Sequence, residues 1–521
     1  MPSELARSLA AGLQASGVRR IFGVPGGGPN LDMIGAAHDV GIDFVLAHGE
    51  TAACIMAGTY GRLTGSVGVA IVTRGPGLTS AANGLAQATL DRYPLLLISD
   101  AVAQAQAGRT AHQRLDQVAA AAPLTKWSGV LGTADPAGVV AGAAQLAGSA
   151  PAGAVMLSFD ATLGGDVAPA APQPASADGA LLKRARSLLG AARYPVLLVG
   201  LDAAPHVAAV RAAVEPLNCP VLVTYQAKGV IPESWPNYAG LFTGATIERP
   251  LLEQADVIVG IGLDPVEPLP GPWPYPAPVV LLHSHPVPTA YFGAPLTVFG
   301  SYAEHLGDLL AMKHSQWPAR AGAETRLRNL ARLDVAGAGL TPHAVVRTTR
   351  EVVGDVPVTV DAGAHMLVAM PYWDTDRPDS VLISNGLSTM GFALPAAIGA
   401  ALARPEQRVV CFIGDGGLSM VLGELETLAR LHVDVTVVVF NDAALTLIQL
   451  KQRAGQGGGG AVRYGMTDFA GVATAMGVPG RIAHDRASLR GALETAQRGP
   501  QLIDARIDPS GYAHVIQATR G

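Results

Sequence analysis

The chain repeats one pattern along its whole length: a short apolar run, a glycine-rich turn, and an alanine- and leucine-rich stretch. Clear apolar runs lie at residues 44–47, 68–72, 95–98, 196–199, 257–261 and 435–440. Continuously apolar strands that alternate with helices are typical of parallel sheets covered on both faces. The sequence therefore predicts an α/β fold made of several doubly wound parallel-sheet domains.

Two linker-like stretches divide the 521 residues. Residues 167–176 are rich in Ala and Pro, and residues from about 313 to 342 are polar and rich in Arg. Three domains follow from these boundaries, at residues 1–165, 178–312 and 340–521. A length of roughly 150 residues per domain agrees with this number.

Composition and charge exclude several classes of protein. Because 49% of the residues are hydrophobic and 15% are charged, the chain can bury large cores and is not disordered. No apolar run reaches membrane-spanning length, and the first residues do not predict a secretory signal. A net charge of −5 without a basic block argues against a nucleic-acid binder. Cys54, Cys219 and Cys411 are too widely separated for a disulfide framework or a zinc spacing. We therefore expect a cytoplasmic enzyme without nucleic-acid or membrane partners.

The sharpest motif is a Gly-Asp-Gly-Gly turn at Gly414, Asp415, Gly416 and Gly417, directly after an apolar strand. A helical stretch over residues 418–431 and a strand over 434–440 follow, and this second strand ends at Asp442. The carboxyl ends of parallel strands meet at one edge of a sheet, where open α/β sheets bind ligands. There the two carboxylates would offer hard oxygen ligands, and glycines let backbone amides approach a phosphate closely.

The spacing of 27 residues from Asp415 to Asp442 resembles the diphosphate–Mg²⁺ signature of thiamine-diphosphate enzymes. In that family a paired Asn-Asn stands at the second strand end, and Asp442 here replaces its second Asn. The resemblance implies that Asp415, Asp442 and the backbone carbonyl of Ala444 bind Mg²⁺. It also implies cofactor contacts from the four residues of the turn and from Leu445, Thr446 and Leu447.

The segment 385–395 resembles the part of the family that grips the cofactor's aminopyrimidine. Met390 matches the bulky apolar residue that holds the cofactor bent, and the Ser388 carbonyl matches the acceptor for its 4′-amino group. Taken alone, Met390 would more simply be a core residue.

The N-terminal region resembles the pyrimidine-binding domain of the acetolactate synthase, pyruvate oxidase and benzoylformate decarboxylase family. Glu50 follows an apolar strand and begins an apolar helix, which matches the carboxyl group that contacts pyrimidine N1′ and makes the cofactor reactive. A glutamate at a helix N-terminus is the simpler alternative. The resemblance also places five further residues of this region at the cofactor: Pro25, Gly26, Thr73, Gly77 and Asn83. In this family Glu50 and Asp415 come from different subunits, which implies a homodimer or homotetramer.

Substrate residues are less clearly matched. Benzoylformate decarboxylases carry Ser and His where this chain has Gly27 and Thr73. Acetolactate synthases carry Phe-Gln at the position of His112 and Gln113. His112 either relays protons or is a solvated loop residue, and Gly27 would shape the pocket near the reacting carbon.

Other positions leave alternatives open. Lys451 either pairs with a substrate carboxylate or points to water, and the glycine tract 457–460 near Tyr464 is either a lid or a plain loop. Lys126, which stands where acetolactate synthases have a Thr-Lys pair, is either a substrate-side residue or only a surface or domain-contact charge. His283 and His285 either face a site or lie at a loop edge. The central domain lacks the arginines of the family's FAD-binding strand end, so FAD is unlikely.

These patterns together predict a thiamine-diphosphate- and Mg²⁺-dependent carboligase or lyase that acts on a small 2-oxo acid in the manner of acetolactate synthases. One alternative is a benzoylformate-decarboxylase-like enzyme that only decarboxylates. Another is a catalytically silent cofactor-binding partner, against which the retention of Glu50 argues. A third alternative is an oxidase that uses a flavin, and such a protein would be yellow when purified.

Overall fold

The protein folds into three six-stranded sheets, and every pair of neighbouring strands is parallel. This computed structural model describes residues 2–102, 106, 108–131, 135–159, 170–172, 175–312, 314–335, 337, 339–452, 456, 460–495 and 497–520. Half of the first predicted linker (residues 167–169, 173 and 174) and residues 457–459 of the glycine tract lie outside these ranges. The predicted α/β fold with three doubly wound parallel sheets is confirmed.

The first sheet has the strand order β2-β1-β3-β4-β6-β5. Its strands are β1 (Arg20–Val24), β2 (Asp43–Leu46), β3 (Gly68–Val72), β4 (Leu95–Asp100), β5 (Trp127–Leu131) and β6 (Ala154–Phe159). Its helices are α1 (Glu4–Ala15), α2 (Pro29–Asp39), α3 (Glu50–Thr64), α4 (Pro76–Leu90), α5 (Gln117–Ala121) and α6 (Pro136–Gly148), with a 3-10 turn at Ala122–Leu124.

The second sheet has the order β12-β11-β10-β7-β8-β9. Its strands are β7 (Pro195–Val199), β8 (Val221–Val223), β9 (Tyr238–Leu241), β10 (Val257–Ile261), β11 (Val279–His283) and β12 (Leu296–Phe299). Its helices are α7 (Gly179–Gly190), α8 (Val207–Val214), α9 (Arg249–Leu252) and α10 (Leu306–Leu309), with 3-10 segments at Leu201–His206, Thr246–Glu248, Ala290–Phe292 and Tyr302–His305.

The third sheet has the order β14-β13-β15-β16-β18-β17. Its strands are β13 (Val358–Val360), β14 (Val381–Ile383), β15 (Val409–Gly414), β16 (Val435–Asn441), β17 (Gly480–Ala483) and β18 (Gln501–Arg506). A helix α11 (Ala321–Leu333) precedes it. Its own helices are α12 (Pro342–Val353), α13 (Met366–Tyr372), α14 (Ala393–Ala403), α15 (Asp415–Met420), α16 (Glu424–Leu431), α17 (Thr446–Lys451), α18 (Phe469–Ala475), α19 (Arg486–Glu494) and α20 (Tyr512–Arg520), with a 3-10 turn at Pro509–Gly511.

The first and third sheets share one hydrophobic core, which runs from Phe22 to Leu502. Helices α3 and α14 meet so closely that a Cβ at Gly399 would lie 2.6 Å from the carbonyl oxygen of Met56. Small residues at such positions let helix backbones approach each other. The two domains that carry Glu50 and Asp415 therefore form a tightly packed pair within the chain.

The second predicted linker contains a helix. Residues 321–333 form α11, whose Gly322 lies against the backbone of Asn237, where an added Cβ would be 2.1 Å from the carbonyl oxygen. The stretch is polar because one face of this amphipathic helix is exposed, and its composition therefore resembles that of a linker. Among the described residues, no helix combines the length and the apolar character that a membrane span requires.

Candidate active site

A cavity of about 660 Å³ lies at the carboxyl edge of the third sheet. The loops after β13, β14, β15 and β16 form it, together with segments of the central domain. Its volume lies within the range of about 300–1,000 Å³ that is usual for cofactor pockets. The predicted residues that line it are Ser388, Met390, Gly414, Asp415, Gly416, Gly417, Asp442, Ala444, Leu445, Thr446 and Leu447.

The two carboxylates predicted to bind a cation meet at the carboxyl ends of β15 and β16. Oδ2 of Asp415 accepts hydrogen bonds from the backbone N–H of Asp442 at 3.2 Å and of Ala443 at 2.7 Å. Thr446 donates its hydroxyl to Asp442 Oδ2. These bonds fix both carboxylates at the cavity that Ala444 also lines, and carboxylate and carbonyl oxygens are ligands that suit Mg²⁺.

The electrostatics of this pair also favour a cation. Burial raises the pKa of Asp415 above its usual value. Burial and the neighbouring Asp415 carboxylate raise the pKa of Asp442 to about 6. Two partly buried carboxylates that repel each other are costly to ionise, and a bound divalent cation removes that cost.

The glycines of the turn are in close contact with their surroundings. A Cβ at Gly414 would lie 3.4 Å from the imidazole of His365, and one at Gly416 would lie 2.8 Å from Leu445 Cδ2. At Gly417 it would lie 2.1 Å from Asp361 Oδ2. A side chain at Gly416 would occupy the space beside Leu445 and Met390 in the cavity, whereas one at Gly417 would press on the buried Asp361. The open space at Gly416 supports the predicted close approach of a phosphate.

Sequence reasoning missed His365. Its ring is buried and stacks on Phe440, with ring centroids 5.1 Å apart and planes at 22°. Nε2 of His365 is buried and has no hydrogen-bond partner among the described residues, although the residue lines the cavity. A buried nitrogen without a partner is rare and points to a ligand group. The signal in the sequence is its place just after β13, at the same sheet edge as Asp415.

Tyr464 adds a contact that the sequence did not reveal. Its hydroxyl donates a 2.6 Å hydrogen bond to Asp415 Oδ1, while the side chain remains 41% exposed. The carboxylate that is expected to bind the cation is therefore already partly satisfied by a residue near the predicted lid. Lys451 and Ile448 also line the cavity.

The N-terminal domain holds the segment that carries Ser388 and Met390. Asp91 is fully buried and accepts 2.6 Å hydrogen bonds from Ser384 Oγ and from the backbone N–H of Gly386. Ser388 has a φ of 56°, in the left-handed region that non-glycine residues rarely adopt. Asp91 thus anchors a strained turn that places Met390 beside Gly416.

The predicted residues of the N-terminal domain lie apart from this cavity. Thr73 lies against two glycines. A Cβ added at Gly26 would be 2.3 Å from Thr73 Oγ1, and one added at Gly77 would be 3.0 Å from Thr73 Cγ2. Glu50 is the first residue of α3 and is half-buried, and Pro25 follows β1. Asn83 differs from this group, because its Oδ1 accepts a hydrogen bond from Thr389 at 3.4 Å.

The substrate candidates Gln113, His112 and Lys126 do not line the cavity either. Gln113 adopts a φ of 56°, and its carbonyl oxygen lies 2.8 Å from the Cβ position of Gly75. His112 is exposed. Lys126 points inside its own domain, where Nζ donates to the carbonyl oxygens of Leu146 at 2.6 Å and Ser149 at 2.7 Å. This geometry makes Lys126 a structural cation within the N-terminal domain.

Three family models match the chain in order. They are described as thiamine pyrophosphate enzyme N-terminal TPP binding domain (residues 3–120), central domain (residues 182–291) and C-terminal TPP binding domain (residues 361–505). The acetolactate synthase of Bacillus subtilis (strain 168) is 31% identical over 96% of this chain and 92% of its own length. The chain belongs to the thiamine pyrophosphate enzyme family. Thiamine pyrophosphate is another name for thiamine diphosphate, so the predicted family is confirmed.

Other relatives in this family carry similar names. The acetolactate synthase isozyme 3 large subunit of Escherichia coli (strain K12) is 31% identical over 97% of this chain and 95% of its own. The catabolic acetolactate synthase of Raoultella terrigena is 30% identical, with coverages of 95% and 93%. The chain is therefore a thiamine-diphosphate enzyme that is similar to acetolactate synthases over nearly its full length. The roles of individual residues, the domain boundaries and the expectation about FAD stay predictions.

Proposed function

We propose that this protein is a thiamine-diphosphate- and Mg²⁺-dependent carboligase that joins two small 2-oxo acids with loss of CO₂, with pyruvate as the first donor. The observation that carries the proposal is the meeting of Asp415, Asp442 and the glycine turn in one cavity of about 660 Å³. The full-length similarity to acetolactate synthases supports this reaction over simple decarboxylation.

The residues at the cavity fit the cofactor and its metal. The side chains of Asp415 and Asp442 and the carbonyl of Ala444 would bind Mg²⁺. The diphosphate would lie along Gly414–Gly417, where the backbone amides could donate to it and the His365 imidazole lies beside Gly414. The Ser388 carbonyl would accept from the aminopyrimidine, and Met390 would hold its bent form. Leu445, Thr446 and Leu447 would complete the wall.

Bound thiamine diphosphate supplies the nucleophilic carbon and the electron sink that decarboxylation needs. Glu50 would hold the proton that it exchanges with pyrimidine N1′. Met390 and Leu447 would keep water from the reacting carbon. Gln113 would orient a substrate oxygen, and Gly27 would leave room for the substrate, because no described atom lies within 4 Å of its Cβ position.

We further propose that a second copy of the chain completes each site. None of the described residues that line the cavity belongs to the first sheet's domain, whereas Glu50, Gly26 and Thr73 all belong to it, and Gly26 and Thr73 are in contact. Two sites at one twofold interface would pair the Glu50 region of one copy with the Asp415 region of the other.

Carbon-13 NMR of the products from labelled pyruvate, with thiamine diphosphate and Mg²⁺, tests the reaction. The expected product is acetolactate, formed only when both cofactors are present. Acetaldehyde as the sole product would contradict carboligation, and no consumption of pyruvate would contradict pyruvate as the donor. Glu50→Gln is expected to bind the cofactor normally but to lower turnover by about 10²-fold or more.

Co-expression of two inactive variants tests the shared site. Glu50→Gln and Asp415→Asn chains would form mixed dimers in which one of the two sites has both wild-type residues. Random pairing would restore about one quarter of wild-type activity. If the mixture stayed as inactive as the two separate variants, the shared site would be refuted.

A further inference from the structure

The central domain contains two histidines and an aspartate that the proposed function does not use. Asp202 lies in the 3-10 segment Leu201–His206 after β7, and His283 is the last residue of β11, with His285 shortly after it. Both strands end at the same edge of the second sheet. One potential ligand atom from each of the three side chains lies within 4.8 Å of the other two.

The distances within this cluster are close to those of a coordination shell. His283 Nδ1 lies 3.3 Å from Asp202 Oδ2, and His285 Nδ1 lies 3.8 Å from Asp202 Oδ1. In a tetrahedral zinc site with bonds of about 2.0–2.2 Å, neighbouring ligand atoms are roughly 3.3–3.6 Å apart. One ion could therefore contact all three side chains after a small shift of His285.

The two imidazoles are shielded from solvent and incompletely satisfied. The side chain of His283 is 1% exposed and that of His285 is 13% exposed. Nε2 of both rings is buried without a hydrogen-bond partner among the described residues. The Nδ1 atoms lie nearest to the Asp202 carboxylate and would be the metal ligands.

The charges and hydrogen bonds around the cluster also favour a cation. The Asp202 and Asp264 carboxylates and the Arg92 guanidinium all face the histidines, which leaves one net negative charge. Ser284 donates its backbone N–H to Asp202 Oδ2 at 2.8 Å and its hydroxyl to Oδ1. Outer partners of this kind fix the orientation of a metal-binding carboxylate.

The cluster is accessible from solvent. Asp202 and His285 line a cavity of about 720 Å³ between the N-terminal and central domains, opposite Arg62 and Ala144. An ion could enter there, and a fourth coordination position could face the open space.

We propose that Asp202, His283 and His285 bind a divalent transition metal of the Zn²⁺ type, with a fourth position that holds water or a small anion. Two imidazoles and one carboxylate suit Zn²⁺ and Co²⁺, whereas Mg²⁺ prefers all-oxygen ligands such as those at Asp415. The site is separate from the cofactor cavity, and it requires neither thiamine diphosphate nor substrate.

Cobalt titration of the full chain tests this site, because four-coordinate Co²⁺ absorbs visible light strongly. Mg²⁺ is kept in large excess to occupy the oxygen site. Wild type is expected to bind one equivalent of Co²⁺ per chain with a visible band. His285→Ala is expected to weaken this binding by more than about 100-fold, since even the loss of an outer partner costs about 10–100-fold.

Two further variants make the result decisive. Asp202→Asn keeps the shape of the side chain and removes the anionic ligand, so it is also expected to lose the band and decides the matter if His285→Ala misfolds. His314→Ala removes an exposed histidine outside the cluster and is expected to bind Co²⁺ like wild type. The site is refuted if wild type shows no band, or if folded Asp202→Asn retains it.

Discussion

Two adjacent glycines of the turn give a matched pair of substitutions with different consequences. At Gly417 an added Cβ would lie 2.1 Å from Asp361 Oδ2. Asp361 is fully buried, and its two oxygens accept the backbone N–H groups of Gly391 at 3.0 Å and Ala393 at 3.1 Å. Gly417→Ala must therefore push Asp361 away from both donors.

The expected loss of stability follows from these contacts. Each buried donor left without a partner costs about 1–3 kcal/mol, and overpacking costs about 1–3 kcal/mol more. We expect Gly417→Ala to destabilise its domain by roughly 3–9 kcal/mol, which adds the cost of two donors to that of overpacking. At about 2–4 °C per kcal/mol for a domain of this size, that loss corresponds to a fall of roughly 6–36 °C in the midpoint of thermal unfolding.

Gly416→Ala is the control at the neighbouring position. Its added Cβ would meet the ends of flexible side chains, Leu445 Cδ2 at 2.8 Å and the Tyr464 hydroxyl at 3.0 Å. These groups can move, so we expect a stability change below about 1 kcal/mol. The methyl group would nevertheless occupy the cofactor cradle and weaken thiamine diphosphate binding by at least about tenfold, or 1.4 kcal/mol.

Differential scanning calorimetry of the two variants without cofactor, followed by titration calorimetry with thiamine diphosphate and Mg²⁺, measures both effects. An unfolding temperature equal to that of wild type in Gly417→Ala would show that Asp361 keeps both hydrogen bonds, contrary to expectation. Wild-type affinity for thiamine diphosphate in Gly416→Ala would show that the cofactor does not lie against this glycine.

Three further predictions concern a buried acid, a structural lysine and a tyrosine. Burial raises the pKa of Glu248 to about 8, so its folded pKa exceeds the unfolded value and its ionisation lowers stability as pH rises from about 4.5 to 8. Glu248→Gln should remove about 2–4 kcal/mol of this pH-dependent loss. Free energies of urea unfolding that change identically with pH in wild type and in Glu248→Gln would contradict this prediction. Lys126→Met should destabilise the protein by about 1–3 kcal/mol, because two carbonyl oxygens lose their donor, and it should leave kcat unchanged. A lower kcat in a variant of wild-type stability would instead show that Lys126 takes part in catalysis. Tyr464→Phe should strengthen Mg²⁺ binding by roughly three- to tenfold, because the hydroxyl no longer competes for Asp415, and a weaker affinity in a Mg²⁺ titration would show that Tyr464 supports the metal site.

The fold and the centre of the site could be predicted because both follow from local patterns. Apolar runs with intervening helices determine parallel sheets, and the rule that parallel strands end at one edge brings Asp415 and Asp442 together across 27 residues. The helix α11 was missed because its exposed, Arg-rich face resembles the composition of a linker.

Other parts of the site depend on contacts that the sequence does not display. His365 is one histidine in an apolar stretch, and only its unpartnered buried nitrogen distinguishes it from a core residue. Asp202 lies far from His283 in the sequence, so their contact depends on the order of strands in the second sheet. The proposed meeting of Glu50 with the cofactor depends on a second copy of the chain.

Titration calorimetry of thiamine diphosphate tests the central claim most directly, because it measures whether the Asp415–Asp442 site binds the cofactor through a metal. With Mg²⁺ present, the purified protein is expected to bind one thiamine diphosphate per chain. With a chelator in place of Mg²⁺, or in Asp415→Asn with Mg²⁺, binding should fall below detection. Equal affinity with and without a divalent cation, or no binding in its presence, would contradict the account.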